Sequence, residues 1–75
     1  MFFGVTSKDN EIPVLINAEQ VKAIFPAYKA IDEEGEEFER DGTKIYLVGE
    51  SIAIDVLDSY DAIKSILTEA NNGRQ

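Results

Sequence analysis

The chain has 75 residues, a length that makes one domain with a single small core and leaves no room for a second. It carries 15 acidic against 7 basic residues, a net charge of −8, so a partner is expected to be basic and direct binding to a phosphate backbone is opposed. Cysteine and histidine are both absent, which excludes disulfides, thiolate metal sites, imidazole ligands and the usual general base at neutral pH.

Residues 2–16 read as a β-hairpin. With Asp9-Asn10 as the turn, Lys8 faces Glu11, Val5 faces Val14 and Phe3 faces Ile16, placing an ion pair at the tip and the large apolar side chains on one face. Pro13 has no N–H to give a ladder, so its strand is expected at an edge or beside an irregularity. No basic leader and no apolar run of membrane-spanning length occurs near the N-terminus, and the expected location is the cytoplasm of a bacterial or phage-infected cell.

Residues 17–28 are ambiguous between strand and helix. Asn17 suits an N-cap with Gln20 at the reciprocal position, and Val21, Ile24, Phe25 and Tyr28 have helical spacing, but Pro26 opposes a long helix. The reading is a tight turn over residues 17–20 followed by a strand from about Val21 to Phe25, with a short helix as the alternative.

Residues 32–41 hold most of the charge. Asp32, Glu33, Glu34, Glu36, Glu37, Glu39 and Asp41 stand against Arg40 alone, a local net charge of −6. Asp41-Gly42 is a hairpin-turn signal that would set Glu39 opposite Lys44 and Phe38 opposite Ile45. Residues 43–57 then form the central hairpin. If Gly49-Glu50 turns it, Leu47 faces Ile52, Ile45 faces Ile54 and Thr43 faces Val56, and a slip of one residue would send half of these side chains into water.

Asp58 or Ser59 caps a helix over residues 59–71, whose Tyr60, Ile63, Ile66, Leu67 and Ala70 make one apolar stripe and which Asn71-Asn72-Gly73 ends. The fold class is therefore α+β: a small antiparallel meander of about five strands with one C-terminal helix on its apolar face.

Two stretches carry a resemblance. Ile12-Pro13-Val14-Leu15-Ile16-Asn17-Ala18-Glu19-Gln20-Val21-Lys22-Ala23-Ile24, together with Ile45-Tyr46-Leu47-Val48 and the run from Ile54 to Ile63, resembles the small flagellar FlbD-like swarming-motility proteins, where a strand, an Asn-Ala turn and a second strand occur in that order. The resemblance implies an accessory of a bacterial assembly and supplies no catalytic residues. The acidic stretch from about Lys29 to Gly42 lies outside that pattern.

Candidate chemistry is sparse. Asp32, Glu34 and Glu36 have the spacing of a calcium loop's first ligands, but Glu37 stands where the sharp turn needs glycine and Thr43 where the bidentate glutamate belongs. Ser7, Ser51, Ser59 and Ser65 have no histidine to activate them, and the glycines form no phosphate loop. The expected protein is a non-enzymatic binder with no cofactor or metal. It presents Asp32, Glu33, Glu34, Glu36, Glu37, Glu39 and Asp41 to a basic, nucleic-acid-binding protein surface as an inhibitor, the carboxylates recurring along a strand like phosphates. The rival expectation makes the sheet face of Tyr46, Val48 and Leu57 the contact surface, or the interface of a homodimer, with Tyr46 lying outside opposite Ala53.

Overall fold

A computed structural model describes residues 1–72, so the Gly73 part of the helix-stop signal lies outside the described residues. Five strands, β1 (Phe2–Thr6), β2 (Pro13–Asn17), β3 (Val21–Ala30), β4 (Phe38–Leu47) and β5 (Ile54–Val56), precede one helix, α1 (Tyr60–Asn72), and a 3₁₀ turn (Ala18–Gln20) joins β2 to β3. The α+β class is as expected. The strands divide into an antiparallel pair, β1-β2, and an antiparallel sheet of order β3-β4-β5. These two sheets meet where Ser7 bridges Val56, with the Leu57 N–H donating to the Thr6 carbonyl at 2.8 Å and the Lys8 N–H to the Asp55 carbonyl at 2.9 Å.

The first hairpin has the expected register, Phe3 opposite Ile16 and Val5 opposite Val14, which buries Phe3, Val5 and Ile16 together. Its tip differs. The Ser7 N–H donates to the Ile12 carbonyl and the Glu11 N–H to the Ser7 carbonyl, each at 2.9 Å, so residues 8–11 form a four-residue loop with Glu11 left-handed at φ 56°. Lys8 consequently turns away from Glu11. Its ammonium pairs with the Asp41 carboxylate at 3.4 Å and also donates to the Asp41 carbonyl, tying the loop to β4. Pro13 opens β2, where its missing N–H is tolerated.

Residues 17–20 turn as expected, the Asn17 side chain accepting from the Glu19 N–H at 3.0 Å. The next element is a strand, ten residues long, that continues through Pro26 to Ala30. Two features admit the proline: β3 is an edge strand, and an extra β4 residue opposite Ala27 shifts the register just past Pro26.

Thr43 opposite Val56 and Ile45 opposite Ile54 also stand as expected. The connection beyond them is corrected. A turn closes one residue earlier, the Glu50 N–H donating to the Leu47 carbonyl at 3.1 Å with Gly49 third at φ 84°, so β5 starts only at Ile54 and Ile52 is left 80% exposed. Asp41-Gly42 is likewise no hairpin turn. Gly42, at φ 83°, occupies a bulge within continuous β4, and the chain reverses at residues 31–37 instead; Glu39 therefore faces Lys29 and Phe38 faces Ala30.

The helix stripe is the covered face: Ile63 is fully buried and Tyr60, Ile66, Leu67 and Ala70 are half-buried, while Asp61, Lys64 and Glu69 face water. Ser59 is the cap, its Oγ accepting from the Ala62 N–H at 3.2 Å. Asp58 works otherwise, accepting from the Thr6 N–H at 2.9 Å on its carboxylate and from the buried Thr43 hydroxyl at 2.7 Å on its carbonyl. Phe3, Val5, Ile16, Ile45, Val56 and Ile63 make the core, with Ile24, Ile54, Ile66 and Leu67 packed around it. Because Leu67 keeps some contact with water, Leu67→Ala is expected to cost about 2 kcal/mol, the lower end for such truncations. An unchanged urea midpoint would mean that the second half of α1 does not hold the sheet.

Candidate functional site

The molecule is elongated, 48 × 23 × 21 Å, because the β3-β4 hairpin runs on past the core. Asp32, Glu33, Glu34, Glu36 and Glu37 occupy the loop at its end. Asp32 organises that loop: its Oδ1 accepts from the Glu36 N–H at 2.9 Å and the Glu37 N–H at 3.2 Å, while the Gly35 N–H donates to the Asp32 carbonyl at 3.3 Å. This is the side-chain-to-backbone turn that aspartate favours. It folds an otherwise self-repelling run so tightly that carboxylate oxygens of Asp32, Glu34 and Glu36 lie within 4.8 Å of one another. Glu33, Glu34, Glu36 and Glu37 are exposed, and among the described residues none of the five tip carboxylates has an ion pair with a lysine or arginine. Asp32 Oδ1 is already taken by two backbone N–H groups, and exposed acidic groups of this kind are common without an ion, so the grouping is treated as a charged surface.

Glu39 and Asp41 stand apart from that cluster. They lie on β4, where Glu39 meets Lys29 at 3.3 Å and Asp41 meets Lys8 at 3.4 Å. The expected ladder of carboxylates at alternate strand positions is therefore not formed: most of the acids are in the loop, the two on the strand are neutralised, and the Gly42 bulge breaks the alternation.

The sheet face expected as a rival surface is partly closed. Val48 and Leu57 are 58% and 45% exposed, but Tyr46 is half-buried, its ring edge-on to Phe25 with centroids 5.6 Å apart. Its neighbour is Ala23 of β3, since β5 does not reach back to Ala53. On the same face Lys44 donates to the Asp55 carboxylate at 2.9 Å, and that hydrogen bond and charge raise the lysine's pKa above its ordinary value. The patch thus has an ion pair through its middle.

A groove of about 330 Å³ runs between the start of β3 and the last turns of α1, lined by Met1, Lys22, Ile24, Leu67 and Ala70 among others, at the end of β3 opposite the acidic loop. No helix among the described residues is long and apolar enough to cross a membrane. The sequence offers Tyr28, Tyr46, Tyr60 and the four phenylalanines as a recognition surface but assigns most of them to core or rim; Tyr28 and Phe38 are instead exposed on the projecting hairpin, a placement that depends on pairing across the bulge. Alternation of residues 24, 26, 28 and 30 was the available signal. Compared with protein-family models, with curated proteins and with solved structures, the chain matches none.

Proposed function

We propose that the protein is a non-enzymatic acidic binding protein that inhibits or modulates a partner by setting its acidic hairpin tip against a basic, nucleic-acid-binding protein surface. The observation that supports this reading is the position of five carboxylates, without cationic partners among the described residues, at the end of a projecting hairpin. Crowded like charge on a protrusion extends its field into solvent and steers a cationic surface towards it. An inhibitor of phage type, directed against a host complex, is one form this function would take, and the cytoplasm of a bacterial or phage-infected cell is the proposed location.

A second reading rests on a different observation. Val48 and Leu57 remain exposed on the outer sheet face, which suits an accessory of a bacterial assembly, flagellar by the FlbD-like resemblance, or a homodimer contact. Salt separates the two. Replacing Glu33, Glu34, Glu36 and Glu37 by glutamine cuts the charge of residues 32–41 from −6 to −2 and leaves the loop polar. Affinity capture from bacterial lysate, with wild type and this variant at low and moderate salt, is expected to retain basic proteins on wild type at low salt only. Proteins held equally by both chains at both salt concentrations would support the sheet-face reading instead.

A further inference from the structure

The core-bearing face of the sheet continues beyond the helix that covers it. Ile24, Pro26, Tyr28 and Ala30 alternate along β3 and pair, across one bulge, with Ile45, Thr43, Arg40 and Phe38 of β4, so that all eight share one face. Arg40 identifies that face as the helix side, since its guanidinium lies over the Tyr60 ring at 5.7 Å from the centroid and 3.5 Å from the Asp61 carboxylate. Around Ile24 and Ile45 the face packs against Ile63, Ile66 and Leu67 of α1. Past Arg40 it does not: Tyr28 is 57% and Phe38 60% exposed, with exposed Ala30 directly opposite Phe38. The result is an apolar ledge bounded at one end by Asp61 and at the other by the carboxylates of residues 32–37.

We infer that this ledge seats a segment of a partner protein in which apolar side chains lie between lysines or arginines. The inference rests on the acidic-tip reading and adds to it the residues that would hold the partner after the charge has steered it. Complementarity selects the occupant. A second copy of this chain would bring its own carboxylates and a charge of −8 to the same place, and a nucleic acid would bring phosphates. A partner segment that is only charged would leave both aromatic rings in water, whereas aromatic side chains at the centre of a contact supply much of its affinity. Arg40 does not oppose a cationic segment, because Asp61 and Tyr60 already hold it.

The test uses the isotope-labelled full chain and two synthetic peptides of equal length and charge, one of lysine and leucine, the other of lysine and serine. The lysine–leucine peptide is expected to bind more tightly and to shift the amide signals of Tyr28, Ala30 and Phe38. Phe38→Ser is expected to weaken that peptide about tenfold and to leave the lysine–serine peptide unchanged. Tyr28→Ser repeats the comparison should Phe38→Ser disturb the fold, which circular dichroism would reveal. If both peptides bind alike and neither variant matters, while the fourfold glutamine variant weakens both, the ledge is overturned and the electrostatic reading stands. If neither peptide binds, both readings fall. Shifts centred on Tyr46, Val48 and Leu57, or self-association of the free chain through the ledge, would also overturn the inference.

Discussion

Gly42→Ala is expected to cost this domain about 2–5 kcal/mol, the sum of about 1–2 for a left-handed residue with a side chain and about 1–3 for overpacking. A Cβ at this position would stand 2.1 Å from the Val56 carbonyl oxygen and 3.2 Å from its carbonyl carbon, with Gly42 itself at φ 83°. Neither partner can yield easily. Val56 is fully buried and bridged to Ser7, and the bulge that holds Gly42 is where Lys8 grips Asp41. Lys8 Cε, 3.3 Å away, is the one neighbour able to swing aside. Small domains have total stabilities near the low end of about 5–15 kcal/mol, so the variant is expected to be largely unfolded when warmed to physiological temperature. Gly49→Ala is the control: it has the same sign of φ, but nothing lies within 4 Å of its Cβ. Urea denaturation should therefore show a much larger loss for Gly42→Ala than for Gly49→Ala. Equal losses would mean that the close approach of β4 to β5 contributes nothing.

Ile63→Ala is expected to cost about 4 kcal/mol, the upper part of the range for buried aliphatic truncation, and Ile63→Val about 1. Ile63 is the α1 residue with 0% exposure, and it meets Phe3, Val5 and Ile16 of the first sheet as well as Ile45 and Val56 of the second in one cluster. Removing its branches opens a cavity where both sheets and the helix converge, and none of the three can collapse without breaking register with another. Thermal melts of the two Ile63 variants beside Leu67→Ala should rank Ile63→Ala lowest. If Leu67→Ala were as damaging, the helix would be held along its length and not chiefly at its first turns.

The parts of the fold legible in the sequence are those where two constraints coincide. Val5 with Val14, Phe3 with Ile16, Thr43 with Val56 and Ile45 with Ile54 are readable because alternation of large aliphatics leaves one register that keeps them dry. The helix stripe is readable for the same reason. Asp41-Gly42 misleads because the dipeptide satisfies a positive φ equally well in a hairpin turn and in a bulge. The length of β3 decides between them, and Pro26 conceals that length by resembling a strand end. The wrong partners for Glu39 and Phe38 arise from this, as does the unforeseen covering of Tyr46 by Phe25, a β3 residue whose register could not be known. The acidic residues themselves are plain in the sequence. Their place at the end of a projecting hairpin, beside Tyr28 and Phe38, is not, since it depends on pairing between residues 28 and 40 and between 30 and 38 across that bulge.

The central claim is that charge at the hairpin tip brings the partner in. It is tested most directly by stopped-flow association of the captured partner with wild type and with the fourfold glutamine variant across a series of salt concentrations. Wild type is expected to associate fast at low salt and to slow steeply as salt is added, with a slower and flatter dependence for the variant. Equal rates and equal salt slopes for the two proteins would contradict the claim and move the contact to the face of Tyr46, Val48 and Leu57.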